Sequence, residues 1–490
     1  MSGMDHQPYI ILPFNFMRFG KDRVLLVNLT GEYLFVSKDE FDKLISHNVH
    51  RQSGPLYFNL NAKHFITEKI TDPAIELLAV KYRTKKDFLS HFTSLHMVEM
   101  TRRCNQRCTY CQASSQDPDK TRQDMGLETA RKTVDMISMT PSKSIKIEFQ
   151  GGEPLLSYET AKYIIEYATQ LASAKKKEVE FVVCTNLTLV TEEMLKYFAD
   201  NNVLISTSLD GPEHVHDFAR QYRNGSGTYA DVIRSLDKAR KYINPSRISA
   251  LMTTTRYSLD HPKEIVDEYV KNGLRSIFIR PLNPFGYMRE GAGRTGYAAS
   301  EFVAFYKALL ECVLKVNRGG YFIEESFTSL LLTRILTPLS TGFVDLQFPA
   351  GTGISGVMYG YDGNVYLSDE ARMLANMGDP KFCIGNVHKD SYKGIFNNSL
   401  VRNVIADSCA ESMPGCADCA FQMYCGTDPV RNYATQNDVI GHRTTNDFCF
   451  INREIIKHLF EIILQDDPDQ MDVFWSWITG RGLSEIRGEV

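Results

Sequence analysis

Hydrophobic positions fall into three patterns along the chain. Between residues 8 and 88, short apolar runs come first and helical patterns follow. YIILPFNF, RVLLVNL and EYLFVS read as strands, with Leu29-Thr30-Gly31-Glu32 as the turn between the last two. Ser37 stands three residues before Glu40, a capping-box spacing that opens the helix KDEFDKLISH. A second helical stretch is expected near NAKHFITEKI and a third around DPAIELLAVKYRTK. Three strands followed by three short helices is the order of a winged-helix-like α+β module, placed at residues 1–90.

From about residue 93 the chain alternates between strand and helix patterns. The strands are HMVEMT, SIKIEFQ, VEFVVCTN, VLISTSLD, RISALMTTT and SIFIRPL. Each precedes a helical pattern: LETARKTVDMISM, SYETAKYIIEYATQLA, TEEMLKYFADN, YADVIRSLDKARKYI, HPKEIVDEYVKNG and SEFVAFYKALLECVLKVN. Six such repeats predict an α/β fold with parallel strands and helical crossovers. Six units are too few to close an eight-fold barrel, so residues 91–320 are expected to form an open, partial (β/α)6 barrel. Its chemistry belongs at the C-terminal ends of the strands. Residues 321–346 bridge to a region, 347–490, without this alternation. It opens on a hairpin-like run, VMYGYDGNVYLS, turning at Asp362-Gly363, and closes on the helix-like FINREIIKHLFEIIL.

Composition changes this picture in one respect. The 490 residues suggest about three domains at roughly 150 residues each. An apolar fraction of 43% is ordinary and can fill a core without disulfide staples. A net charge of −4 gives no global attraction to nucleic acid or anionic membrane, and neither is an expected partner. No apolar run of about 18 residues predicts a membrane span. The stretch MSGMDHQPYIILPFNF lacks the basic and apolar regions of a signal peptide, so a cytoplasmic protein is expected. Disulfides are rare there, which leaves eleven cysteines to explain. Scattered buried thiols would be the plain explanation. Instead Cys104, Cys108 and Cys111 form one knot. Cys409, Cys416, Cys419 and Cys425 form a second, flanked by Cys383 and Cys449, and only Cys184 and Cys312 stand alone. Metal accounts for such clustering.

The first knot, Cys104-x3-Cys108-x2-Cys111, directly follows the first barrel strand. Three thiolates suit a soft metal. Either a distant fourth ligand, such as His96, completes a zinc site, or three cysteines hold a 4Fe–4S cluster with one iron left open. With the strand order, the loop resembles that of the radical SAM superfamily, and Tyr110 matches the aromatic usual before the last cysteine. Gly151-Gly152-Glu153-Pro154, after the second strand, resembles the family's motif for the amino group of S-adenosylmethionine (SAM). Its glycines would let backbone carbonyls approach the ligand, and Glu153 would pair with the ammonium. Asn186, Ser208 and Asp210 resemble ribose- and carboxylate-binding positions. Arg256 and Arg280, ending the fifth and sixth strands, are candidates for the SAM carboxylate or the substrate. The resemblance implies SAM bound to the open iron, an electron donor such as flavodoxin or ferredoxin, and hydrogen abstraction by a 5′-deoxyadenosyl radical.

Cys416-x2-Cys419-x5-Cys425-x23-Cys449 can enclose a whole cluster, with a structural zinc site as the rival. It resembles the SPASM domain of radical SAM maturases, in which these four positions bind an outer auxiliary cluster. The inner cluster's pattern is broken here: its G-x4-C element reads Gly363-x4-Ser368, its fourth core position is Pro429, and FPAGTG carries no cysteine. One auxiliary 4Fe–4S cluster is therefore expected, with Cys383 and Cys409 unassigned. Asp428, just after the cluster loop, is a candidate acid or base.

FQGGEPLL, VLISTSLDGP, RSIFIRPLNPFG, LSDEARML and YCGTDPVRNYATQ resemble the His-Xaa-Ser system radical SAM maturase. That resemblance implies a small precursor peptide with His-x-Ser repeats, held by its leader on the N-terminal unit and modified together with a second radical SAM enzyme. An oxidative crosslink at His or Ser, as a C–O ether or C–C bond, is the leading product. Epimerisation, a folded-protein substrate of the sulfatase-activating kind, and a zinc-stapled peptide-binding scaffold are the alternatives.

Overall fold

The computed structural model describes residues 9–70, 72–288 and 295–489; the N-terminal stretch read above for a signal peptide lies partly outside them. The six expected strands form, in chain order, Leu95–Thr101, Ser144–Gly151, Glu178–Cys184, Leu204–Ser208, Ile248–Thr253 and Ser276–Arg280. Each pairs in parallel with the next. The sheet stays open. Glu324–Glu325 adds a short parallel strand beside the sixth, and Gly356–Tyr359 pairs in parallel with the first. Asn364–Tyr366 and Cys383–Asn386 continue the sheet antiparallel. One ten-stranded sheet therefore runs from the barrel into the C-terminal region.

Period-2 burial sets the faces of these strands. In the second strand Ile145, Ile147 and Phe149 are buried, while Lys146, Glu148 and Gln150 alternate onto the opposite face. Crossover helices cover the apolar face. Leu127–Ser138 buries Ala130, Thr133, Val134 and Ile137, the i, i+3, i+4, i+7 stripe of an amphipathic helix. The inner face keeps polar groups: Gln150 Nε2 donates to Glu148 Oε1 at 2.6 Å, and the Cys184 thiol lies 3.3 Å from the same oxygen. Cys312 sits half-buried on the last barrel helix, Ala299–Arg318.

The N-terminal unit has a meander of Phe14–Phe19, Arg23–Asn28 and Tyr33–Ser37, and the Ser37–Glu40 capping box forms. Two expectations are corrected. The first run breaks at Pro13, which has no N–H for a ladder: Ile10–Ile11 pairs instead with Ile66–Thr67. The second helix is Pro55–Ala62, not NAKHFITEKI, because Gly54 (φ +69°) and Pro55 start it earlier. The unit rests on the C-terminal helix Asp447–Gln465, where Tyr33 and Phe35 meet Phe460 edge-on. No helix of the described residues is long and apolar enough to cross a membrane.

Candidate active site and second cysteine site

The first cysteine loop is bolted to the loop after the second strand. Gly152 N donates to Thr101 O and Glu153 N to Arg103 O, each at 2.8 Å. Side chains are excluded there. A Cβ on Gly151 (φ +146°) would lie 2.1 Å from Thr101 O, and one on Gly152 2.2 Å from Arg103 O. The two glycines thus serve the contact between loops.

Glu153 is fully buried and its carboxylate is engaged within the protein. Oε1 accepts from Leu155 N at 3.0 Å and Thr185 Oγ1 at 2.6 Å; Oε2 accepts from Asn186 N at 2.8 Å. Burial pushes its acid pKa up to about 7 against the pull of these donors. Within the protein, Glu153 ties the second strand's end to the third. Asn186, so placed, donates to Asn105 Oδ1 at 2.9 Å and reaches the Cys104 sulfur at 3.8 Å.

Tyr110 and Asp210, expected as separate ligand contacts, meet each other. The Tyr110 hydroxyl donates to Asp210 Oδ2, Arg220 Nε donates to the same oxygen at 3.0 Å, and Thr253 N donates to Oδ1 at 3.0 Å. Arg220 also stands 4.0 Å from the Cys108 sulfur and over the Tyr110 ring. Sequence reasoning missed it. It follows a helix of only seven residues, Glu213–Ala219, too short to leave a periodic trace, and a lone arginine has no diagnostic spacing. Ser208 ends the fourth strand, half-buried. Arg280 ends the sixth, stacked on Phe278. Arg256 turns outward to Gly296 O and Glu301, away from the strand ends.

His96 is not available to complete a zinc site. It is wholly buried, with Nε2 3.1 Å from Thr93 O and Nδ1 3.3 Å from the Tyr359 hydroxyl. A tetrahedral zinc shell with Zn–S of about 2.3 Å puts its sulfurs about 3.8 Å apart. Among the described residues, the one group of three or more potential ligand atoms within 4.8 Å of one another is His214, His261 and Glu264. Both cysteine sets are wider than a single-zinc shell. At Cys104, Cys108 and Cys111 the donors are soft, and the buried amide Nε2 of Gln106 beside Cys108 has no partner. This loop suits a three-cysteine iron–sulfur cluster with a ligand beside it.

The second set is assembled from a loop and a helix start. Cys419 N donates to Cys416 O, and Gln422 Nε2 holds the Cys416 and Ala410 carbonyls. Asn446 caps the last long helix through Cys449 N. The Cys425 thiol is pushed up to about 12, by burial and then by the charges of Cys449, Cys419 and Cys416. The two positions lacking cysteine have other work. Ser368 caps the helix Asp369–Asn376 through Ala371 N, and Pro429 is the first residue of Pro429–Gln436, capped by Asp428 through Arg431 N. Asp428 also faces Glu370, whose carboxyl rises to about 8 through burial and then the charges of Asp428, Asp345 and Asp369. Cys383 and Cys409 lie half-buried, near Gly385 O and Ile405 O.

A model of the radical SAM superfamily matches residues 98–269. An uncharacterized protein of Methanocaldococcus jannaschii is 29% identical over 188 residues, 38% of this chain and 62% of its own length, so the chain spans less than two thirds of that relative. A cysteine-type anaerobic sulfatase-maturating enzyme of Clostridium novyi is 24% identical over 368 residues, 73% of this chain and 91% of its own. Among solved structures, anSMEcpe with bound AdoMet superposes with a TM-score of 0.63 at 19% identity, over 76% of this chain and 98% of that one. Streptococcus suis SuiB bound to the precursor peptide SuiA gives 0.53 at 13% identity, over 89% and 99%. At such identities the structures speak for the fold.

Proposed function

We propose that this chain, which belongs to the radical SAM superfamily and is an enzyme, modifies a ribosomally made precursor peptide, with His-x-Ser repeats as the substrate motif and an oxidative crosslink at His or Ser as the product. Bound together, SAM and a reduced 4Fe–4S cluster supply a 5′-deoxyadenosyl radical able to take hydrogen from an unactivated C–H bond. Cys104, Cys108 and Cys111 hold that cluster. Gly151-Gly152 and Glu153 fix the loop that carries it. Arg220 keeps a positive charge beside Cys108, and Asp210 holds Arg220 and Tyr110 in place. Cys416, Cys419, Cys425 and Cys449 hold one auxiliary cluster.

The observation that carries the peptide reading is where the N-terminal meander docks. Asn15, on its edge strand, donates to Ala417 O at 3.0 Å and Cys419 O at 3.2 Å, inside the second cysteine loop. A leader added as a strand to this meander would be tied to the cluster region by two hydrogen bonds. The solved SuiB complex, a structural relative, holds a precursor peptide. An electron donor such as flavodoxin or ferredoxin and a second radical SAM enzyme complete the proposed set of partners.

Anaerobic incubation of the reconstituted enzyme with SAM, reductant and a precursor carrying His-x-Ser repeats tests this reading. A loss of two hydrogens in peptide mass supports the crosslink. An unchanged mass with deuterium uptake from solvent makes it an epimerase instead. An untouched peptide beside a modified sulfatase polypeptide establishes the second reading, which the likeness to sulfatase-maturating enzymes favours.

A further inference from the structure

We propose that His214, His261 and Glu264 form a binding site for a divalent transition metal, zinc being the probe of choice, on the outer rim of the barrel. The three come from two successive β–α units. His214 lies in the first turn of Glu213–Ala219, after the fourth strand; His261 and Glu264 open Pro262–Lys271, after the fifth. One ligand atom from each lies within 4.8 Å of the other two. His261 Nδ1 is 2.9 Å and His214 Nε2 3.4 Å from the Glu264 carboxylate, and the imidazole centroids are 4.9 Å apart with their planes at 77°.

The rings are held from behind. Tyr257 lies 5.1 Å from the His261 ring and 6.1 Å from that of His214, and is itself stacked on Phe218 at 4.7 Å. Two imidazoles on an aromatic wall, sharing one carboxylate, are partly preorganised. In the metal-free chain His261 Nδ1 and the Glu264 carboxylate hold each other by a hydrogen bond, which a bound metal would replace by taking both atoms as ligands. Two nitrogens and a carboxylate select zinc and its first-row neighbours over magnesium or calcium, which want oxygen shells. Three protein ligands leave a further position for water. Side-chain exposures of 46% for His214 and 54% for Glu264 leave the metal a way in.

Bound metal would staple the two units together. The helix that begins beside His214 ends at Arg220, which reaches Asp210 and Cys108. The site therefore braces the rim of the active site without entering it. The competing explanation is a histidine–carboxylate hydrogen-bond cluster that takes no metal.

The test uses the full-length chain with its iron–sulfur clusters reconstituted anaerobically, equilibrated with micromolar Zn2+ and desalted before zinc and iron are both counted. Wild type is expected to keep one zinc per chain that the His214→Ala/His261→Ala variant loses at unchanged iron, and zinc should raise the melting temperature of wild type alone. Glu264→Gln should weaken zinc at least tenfold. Zinc lodged among cysteines would persist in the histidine variant and so drops out of the difference. Equal zinc in wild type and variant, or none kept by wild type, overturns the site.

Discussion

The two cysteine sites are built on opposite plans. The first sits where a buried parallel sheet ends, and backbone fixes it: Thr101 and Arg103 carbonyls receive the Gly152 and Glu153 amides. The second lies outside the barrel, and side chains from distant segments fix it: Asn15, Gln422 and Asn446 hold its loop and helix start, and buried Arg334 donates to Met423 O at 2.9 Å. The first offers three thiols, so a cluster there keeps an iron free for a ligand. The second offers four, which would close a cluster off. Backbone rigidity thus goes to the site where a ligand must be oriented, because small displacements cost reaction rate there. Adjustable side-chain contacts suffice where the cluster need only be held.

The largest expected effect separates the two sites outright. Replacing Cys104, Cys108 or Cys111 by Ala should abolish 5′-deoxyadenosine formation. Replacing Cys416, Cys419, Cys425 or Cys449 should lower iron content while leaving reductive SAM cleavage measurable by chromatography. Wild type should carry the iron of two 4Fe–4S clusters. Iron for three would mean that Ser368 and Pro429 do not mark a lost cluster.

Next in size is Gly152→Ala. Its Cβ would stand 2.2 Å from Arg103 O, a backbone atom with no side chain to swing away. The cysteine loop must lift off the second strand. A shift near 1 Å at a reacting centre is worth ~100-fold, so SAM cleavage should fall by about that factor with the chain still folded. A change of less than threefold would show that the loop's seat yields more easily than these contacts imply.

The barrel was legible because each strand–helix repeat carries its own periodicity, and both cysteine sets were legible because spacing is a local signal. What stayed hidden was the contacts between segments far apart in sequence. Gly151-Gly152-Glu153-Pro154 gives no sign that Thr185 and Asn186 of the next unit donate to the Glu153 oxygens. Asp210 and Tyr110 read as independent contacts, and Arg220 unites them. Pro13 and the Gly54-Pro55 pair were signals in plain view: the first splits a run that looked like one strand, the second starts a helix early.

Glu153→Gln tests how far a buried carboxylate supports the first site. The amide keeps the size but turns one acceptor into a donor facing an N–H or O–H, which should cost about 2 kcal/mol. The pH dependence has a definite sign. Burial raises this acid from 4.5 to about 7, so between those values the folded chain holds a proton that the unfolded chain has released. Its contribution to stability is greatest below the unfolded value and declines as pH rises toward 7. Denaturation midpoints should therefore show the wild type's advantage over Glu153→Gln shrinking from pH 5.5 to pH 8. An advantage that grows would mean that the three donors outweigh burial.

The smallest effect belongs to the second site and bears most on function. Asn15→Ala removes two half-buried hydrogen bonds to the Ala417 and Cys419 carbonyls, worth about 1–2 kcal/mol together. Neither bond touches the first cysteine loop, so SAM cleavage without peptide should stay near wild type. If the meander presents a leader to the cluster region, loosening its seat should lower the yield of modified peptide per 5′-deoxyadenosine formed. The ratio is the readout because a merely destabilised enzyme loses both products together, whereas a loosened recognition unit spends SAM without result. An unchanged ratio would leave the meander as packing for the helix that carries Phe460 and move peptide recognition elsewhere on the chain.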